Sequence, residues 1–239
     1  MPTLSVLLPV YNESEAIVPV LLEVAEVLEE AFPGEWEVLA VDDGSTDDTA
    51  ARILQAAETF PSVRLISLQQ NVGQSGALWM GFRQARADWL ATLDADGQND
   101  PADLPKLWAA RGEADAVFGF RAKRQDTWSK RFGSKLANAV RNLILKEDIT
   151  DTGCAVKIFR RSLTENLMPW NGMHRFFGSL FRMQGAVIVQ QPVNHRRRTA
   201  GTSKYTNWGR LKKTVRDLFA MRWLRSRYVH VRTKSETAP

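Results

Sequence analysis

Asp94-Ala95-Asp96-Gly97-Gln98 sets two carboxylates two residues apart beside a glycine, directly after the apolar run Trp89-Leu90-Ala91-Thr92-Leu93. Carboxylates are hard oxygen ligands, and such a pair can present them to a divalent cation that also holds a diphosphate. Asp and Gly are ordinary turn residues too, so the same pattern suits a solvated turn. A second acidic strand end lies upstream, at Val38-Leu39-Ala40-Val41-Asp42-Asp43-Gly44-Ser45. Two such ends favour a ligand site, because α/β sheets bind nucleotides at the carboxyl ends of their strands.

Those carboxylates need elements to position them. Short apolar runs alternate with helical periodicity through the first half, the pattern of βαβ units. Strands are expected at Leu4–Val10, Glu37–Val41, Val63–Leu68, Trp89–Leu93 and Asp115–Phe118. Ile17, Val20, Leu21, Val24, Val27 and Leu28 recur near the 3.6-residue period and predict a helix over Glu15–Ala31. Thr46–Phe60 opens with Ser/Thr/Asp capping chemistry, and Gly73–Ala85 follows a glycine-containing loop, so both are expected helices. Right-handed crossovers would stack the strands in parallel. The second half is less regular. Helices are expected over Trp128–Leu145, around Asn171–Met183 and over Tyr205–Tyr228, with strands at Cys154–Phe159 and Ala186–Gln191.

Composition narrows the class. With 239 residues, 44% hydrophobic and 25% charged, the chain suits one large α/β domain with a full core. Cys154 stands alone, so no internal disulfide is possible, and a reducing compartment is expected. No histidine partner for Cys154 is visible, and it reads as a small core residue rather than a nucleophile. His174, His195 and His230 lack zinc-ligand spacing. The apolar start is too short for a secretory leader, and no run approaches the ~20 residues that span a bilayer. The net charge of +5 is unevenly spread: from Arg196 to Arg232 there are twelve Arg and Lys residues, opposed by Asp217 alone. Such a block implies an anionic partner: a phosphate, an acidic lipid surface or nucleic acid.

Motifs in order then carry a resemblance. Pro9-Val10-Tyr11-Asn12-Glu13, Asp42-Asp43-Gly44-Ser45-Thr46-Asp47, Asn71-Val72-Gly73 and Asp94-Ala95-Asp96-Gly97-Gln98 together resemble the inverting family 2 glycosyltransferases. The resemblance implies the GT-A fold, an α/β architecture with a Rossmann-like, mostly parallel sheet and helices on both faces. Met173-His174-Arg175-Phe176 and the run from His195 through Arg198, Gly201, Ser203, Lys204 and Tyr205 resemble the polyprenyl-phosphate branch. The likeness spans roughly residues 3 to 225. It implies a catalytic domain over residues 1–204 and a basic amphipathic helix and tail over 205–239.

Residue roles follow from that likeness. Pro9, Tyr11, Glu13, Asp42, Asp94, Ala95, Asp96 and Gln98 are expected to bind the nucleotide-diphosphate sugar. Asp42 is expected near the base or ribose, whose N–H and hydroxyls a carboxylate can accept. Asp43 is expected mainly to shape the turn. Asp96, with Asp94 and Gln98 beside it, is expected to hold Mg²⁺ or Mn²⁺. Magnesium keeps waters and needs only one or two carboxylates, which suits a short acidic motif. Arg121, Arg131 and Ser134 are implied to face the phosphates of donor or acceptor, although relatives usually carry Ser where Phe120 stands. Arg198, Ser203 and Lys204 are implied to take the acceptor phosphate, with Gly201 permitting a tight loop. Asp151 is implied to lie near the donor sugar or to cap a turn. Asp94, Asp96, Arg121, Arg131 and Asp151 form the expected catalytic set.

The implied acceptor is a polyprenyl phosphate. A phosphate monoester is largely anionic at neutral pH, so it can attack the anomeric carbon without a strong base and invert it. Metal and arginines would hold the two anions in line. Trp208, Trp223 and Tyr228, interleaved with Arg and Lys, suit an interfacial anchor on an anionic membrane, or a helix packed on the catalytic domain. The implied setting is peripheral, on the cytoplasmic face, where a membrane partner protein would act on the product. Transfer to a saccharide or lipid-A-type hydroxyl is the alternative, and it calls for a carboxylate base. A nucleic-acid partner is not expected, because the acidic strand ends oppose it. A nucleotidyltransferase should have a Gly-rich basic loop where Tyr11-Asn12-Glu13-Ser14 stands.

Overall fold

The computed structural model describes residues 1–122, 141–145, 147–196 and 207–229, with the backbone path alone for 207–214. Seven strands form one sheet: β1 (Leu4–Val10), β2 (Trp36–Asp42), β3 (Val63–Ser67), β4 (Trp89–Thr92), β5 (Ala116–Arg121), β6 (Lys157–Arg160) and β7 (Ile188–Val193). Their order is β3-β2-β1-β4-β6-β5-β7. All pair in parallel except β6, which runs antiparallel to both β4 and β5. The expected mostly parallel α/β sheet is therefore present, with one reversed strand.

Four helices follow the early strands: α1 (Ile17–Ala31), α2 (Thr49–Thr59), α3 (Gln74–Gln84) and α4 (Asp103–Ala110). Successive side chains of a strand point to opposite faces. Val6, Leu8, Val38 and Ala40 accordingly join Leu21, Val24, Leu28, Ile53, Leu104 and Leu107 in the core under α1, α2 and α4. Leu7 and Leu39 point the other way, toward Leu78 and Phe82 of α3 and toward Phe159, Phe177 and Phe181. In that second layer the Phe177 and Phe181 rings stack with centroids 5.3 Å apart.

Several boundaries moved from their sequence-based positions. α1 begins at Ile17 and α2 at Thr49, because Glu13–Ala16 and Ser45–Asp48 form turns bonded to each other. α4 was not expected: it is eight residues long, and its flank and first turn carry Pro101 and Pro105. Proline is tolerated in a first turn because its missing N–H would have no intrahelical partner there. The helix expected around Asn171–Met183 is a 3₁₀ turn at Met173–Phe176 running into a helix at Phe177–Met183. Another 3₁₀ turn, at Arg161–Thr164, follows β6. Most of Trp128–Leu145 lies outside the described residues, of which 141–145 are helical. The last helix is Asn207–Arg227.

The register explains where chemistry concentrates. Val10 pairs with Asp42 and Leu7 with Thr92, so β1, β2 and β4 end at one edge of the sheet. Arg121 closes β5 opposite Val193 of β7. Because β6 is reversed, its first residue, Lys157, lies at that same edge, paired with Thr92 and Phe118. The turn Asp151–Val156 is thereby delivered beside the ends of β4 and β5.

Candidate active site

The loops after β1 and β2 hold one another. Asn12 sits in the left-handed region at φ 51°, a conformation asparagine tolerates. Its Oδ1 accepts the Thr46 amide at 2.8 Å, and its own amide donates to Ser45 Oγ at 2.9 Å. The Glu13 amide donates to Thr49 Oγ1 at 3.0 Å. Asp42 is buried, and its Oδ1 accepts the Ser45 amide at 3.1 Å. Asp43 accepts the amides of Val72 and Gly73 at 2.8 and 2.9 Å, which joins the β2 end to the start of α3. Burial pushes the Asp43 carboxyl up, while those two amides pull it down. Gly44 makes the closure possible. A Cβ there would lie 2.7 Å from the Gln70 carbonyl carbon and 2.8 Å from Asn71 N, and its φ is +69°.

Asp94 follows β4 and is half-buried. Its Oδ1 accepts from Gln74 Nε2 at 3.0 Å, and its amide donates to Asn99 Oδ1 at 2.7 Å. Burial and then the neighbouring Asp96 carboxylate push Asp94 up to about 6, against the pull of Lys157, Arg121 and Gln74. Asp96 Oδ1 accepts the Gln98 amide at 3.1 Å, so Gln98 is held in the same tight turn. Ala95 is buried between them. Two carboxylates crowded until one resists ionisation fit a cation, whose charge would relieve both. Among the described residues no cluster of three or more acidic, His or Cys side chains could hold a metal alone.

Arg121 and Asp151 meet beside Asp94. Arg121 donates from Nε to Asp151 Oδ2 at 2.6 Å and from a terminal nitrogen to Oδ1 at 2.9 Å, a bidentate fork. The Arg121 amide adds a longer bond to Oδ2 at 3.3 Å. Lys157, buried, donates to the Cys154 carbonyl. Its ammonium is pushed down by burial and supported by the charges of Asp151 and Asp94. The Cys154 thiol is buried and pushed up by that burial, which fits a core residue and not a nucleophile.

Two later segments close on this edge. Ser75 Oγ lies 2.8 Å from His174 Nδ1 and accepts the Gly172 amide at 3.1 Å, so the 3₁₀ turn docks beside Gln74. After β7, Asn99 and His195 form a β-bridge, and the Arg196 amide donates to the Gln98 carbonyl at 2.9 Å. The Arg196 guanidinium spans Glu23, at 2.7 and 2.9 Å, and Asp100, at 2.8 Å. Asn194 donates to Asp103 Oδ2 at 2.6 Å and Asp100 Oδ2 at 3.0 Å.

The sequence-derived residues Pro9, Tyr11, Glu13, Asp42, Asp94, Ala95, Asp96, Gln98, Arg121 and Asp151 therefore lie on loops or strand ends of one sheet edge. Arg131, Ser134, Arg198, Ser203 and Lys204 lie outside the described residues. Gln74, Ser75, Asn99 and Lys157 were not foreseen. Gln74 and Ser75 act across elements, and Asn99 braces the Asp94 loop from within; no periodicity signals such contacts.

Solved structures share this architecture. Glucosyl-3-phosphoglycerate synthase from Mycobacterium tuberculosis, in complex with Mn²⁺, uridine diphosphate and phosphoglyceric acid, superposes with a TM-score of 0.70 at 20% identity, covering 96% of this chain and 80% of that one. The same enzyme with Mg²⁺ and uridine diphosphate gives 0.69 at 21% identity, covering 94% and 79%. A mannosyltransferase from Pyrobaculum calidifontis, in complex with GDP-mannose and Mn²⁺, gives 0.67 at 21% identity, covering 100% of this chain and 66% of that one. Residues 5–168, which run from β1 past the acidic loop and the Arg121–Asp151 pair, match the sequence description of Glycosyl transferase family 2. That match takes in well over half of the chain, and with the shared architecture it establishes that the chain belongs to glycosyl transferase family 2.

Proposed function

We propose that the protein transfers a sugar from a nucleotide-diphosphate sugar to a polyprenyl phosphate, inverting the anomeric carbon. The observation that carries this reading is the Arg121–Asp151 fork beside Asp94. Asp151 is held by Nε and one terminal nitrogen of Arg121 at 2.6 and 2.9 Å, so both of its oxygens are engaged by a guanidinium rather than turned to an acceptor hydroxyl. A hydroxyl acceptor needs a carboxylate base to take its proton, whereas a phosphate is already an anion.

The roles follow the sheet edge. Tyr11, Glu13 and Asp42 would receive the nucleoside on the interlocked β1 and β2 loops. Asp94 and Asp96, with Gln98, would hold Mg²⁺ or Mn²⁺, the ions present with nucleotides in the structural relatives. That cation supplies charge neutralisation for the departing nucleoside diphosphate. Gln74 and Asn99 orient Asp94 through its side chain and its amide. Arg121, Arg131 and Ser134 would face phosphates. Arg198, Ser203 and Lys204 would take the acceptor phosphate, delivered from the His195–Arg196 segment that is bonded to the acidic loop. On this reading residues 1–204 carry the catalysis, 205–239 form a basic helix and tail, and the enzyme works at the cytoplasmic face of a membrane with a partner that takes its product.

A second reading keeps the phosphate and changes the attacking atom. The Mycobacterium tuberculosis relative was captured with phosphoglyceric acid, a phosphorylated acceptor. The same cationic groups could hold an acceptor's phosphate while its hydroxyl is glycosylated. Incubation with a panel of nucleotide sugars, Mn²⁺ and a short polyprenyl phosphate, read by mass spectrometry, separates the two. A sugar–phosphate–prenyl product that mild acid cleaves supports the polyprenyl reading. Transfer confined to hydroxyls of phosphorylated small molecules overturns it.

A further inference from the structure

The helix Asn207–Arg227 has apolar residues on two sides. Leu218 and Met221 are 6% and 2% exposed and pack in the core layer that holds Met173, Phe176 and Phe177. On the side turned away from that core, Val215, Phe219 and Trp223 recur every fourth residue, which places them in one stripe. They are 45%, 59% and 63% exposed. A helix needs only its docked face to be apolar to pack on a domain, and among the described residues the outward stripe stays exposed.

Charge surrounds the stripe. Arg216, Arg222 and Arg227 are exposed on its flanks. Arg222 reaches the Ile144 carbonyl at 3.4 Å and is otherwise open to solvent. The helix holds seven Arg and Lys residues and a single acid, Asp217. Asp217 turns inward: a Cβ on Gly172 would meet its Oδ2 at 3.4 Å. The outward surface is thus cationic with an aromatic–aliphatic centre. No helix among the described residues is long and apolar enough to cross a membrane.

We propose that the Val215–Phe219–Trp223 face is a docking surface for an anionic lipid bilayer, with the stripe set into the headgroup boundary and Arg216, Arg222 and Arg227 on lipid phosphates. The chemistry selects this occupant. Amphipathic interfacial helices combine aromatic and aliphatic burial with attraction to acidic headgroups. Self-association through the same face would set arginines against arginines with no outward acid to oppose them. A three-residue stripe is also far smaller than the ~800 Å² per partner of a stable dimer. The inference extends the polyprenyl-phosphate reading and is tested apart from it. The docked side of the helix meets the core layer of Met173–Phe176, the 3₁₀ turn that Ser75 ties to α3. A seated helix would therefore hold the sheet edge at a fixed pose to the surface.

Flotation of the full chain with vesicles of phosphatidylcholine alone, or with one-third phosphatidylglycerol, tests the proposal. The wild type should float with the anionic vesicles at low salt and be released at high salt. F219E/W223E should lower vesicle affinity by about tenfold or more. Each Arg216→Gln or Arg227→Gln change should lower it about fivefold, on anionic vesicles only. Activity on a water-soluble, short-chain prenyl phosphate should be unchanged in F219E/W223E, which shows a folded enzyme. No flotation of the wild type, equal flotation of F219E/W223E, or a concentration-dependent dimer that F219E/W223E abolishes would each overturn the docking surface. Failure of the wild type to use any prenyl phosphate while it still floats would strike the acceptor reading and leave the docking surface standing.

Discussion

Asp94 carries the sharpest electrostatic consequence at the scale of single residues. Its folded carboxyl is raised to about 6 from an ordinary 3.8. Between those values the unfolded chain has ionised while the native state keeps its proton. Stability without metal should therefore fall as pH rises from about 4 to about 6, and the full penalty remains above that. Asp94→Asn removes the charge. It should raise the metal-free stability at pH 7.5 by roughly 1–2 kcal/mol after allowance for partial exposure, seen as a higher melting temperature, with a much smaller change at pH 4.5. The same variant should lose the thermal shift that Mn²⁺ and a nucleoside diphosphate give the wild type. Differential scanning fluorimetry at the two pH values checks both, and a variant less stable at pH 7.5 would contradict the charge-crowding account. Asp96→Ala should lower kcat by about 10²-fold or more, with the fold intact by circular dichroism. Arg121→Lys should lose about as much activity as Arg121→Ala, because an ammonium cannot reproduce the fork to Asp151. Recovery by lysine would show that charge alone suffices. The Asp94–Asp96 pair was legible because its signal is local: two acids, a glycine and an apolar run before them. Gln74 was not, since it reaches Asp94 from another element, and Asn99 and Lys157 were not, since no periodicity marks a polar side chain that braces a loop or a buried strand start.

At the scale of elements, the reversed strand decides the site. Local pattern reads β6 as a strand but says nothing of its direction, which is set by the path of the chain before it. Had β6 run parallel, Lys157 and the Asp151–Val156 turn would stand at the opposite edge from Asp94. The sequence placed the apolar cores of β1, β2 and β4 closely, because their alternation and length are local. It missed α4, where two prolines mask a short helix, and it set β5 three residues short of Arg121. Two interlocks bind these elements. Gly44→Ala should destabilise the protein by about 2 kcal/mol or more, since its Cβ would strike the Gln70 and Asn71 backbone at a positive φ. Urea denaturation measures this, and an unchanged midpoint would contradict the close approach. Arg196→Gln breaks the link to Glu23 and Asp100. On the proposed reading it should raise the acceptor KM several-fold and leave the donor KM nearly unchanged in steady-state kinetics, because the bonds it loses fix Arg196, from which the chain continues to the proposed acceptor residues Arg198 and Lys204. Equal changes in both would show a general loss of structure.

At the scale of the whole molecule, one edge of the sheet gathers acids on the ends of β1, β2 and β4 and cations on β5, β6 and the segment after β7. That separation within one edge suits the proposed reaction between two anions. On the proposed reading, the acids and a metal would grip one diphosphate and cationic side chains would bring up the other phosphate. The family and its α/β architecture were readable from motif order, because each motif is a strand end with fixed local chemistry. The polyprenyl-phosphate acceptor was read from the motif resemblance at Met173–Phe176 and His195–Tyr205; the basic block by itself points to an anionic partner and not to which anion. The central claim is that the attacking group is the phosphate of a lipid. Its most direct test is the initial rate of nucleoside-diphosphate release, with Mn²⁺, as short-chain prenyl phosphate is titrated beside the prenyl alcohol of the same length. The account predicts saturable acceleration of at least about 10²-fold over donor hydrolysis with the phosphate and none with the alcohol. Equal acceleration by both, or by neither while a saccharide hydroxyl supports turnover, would contradict it.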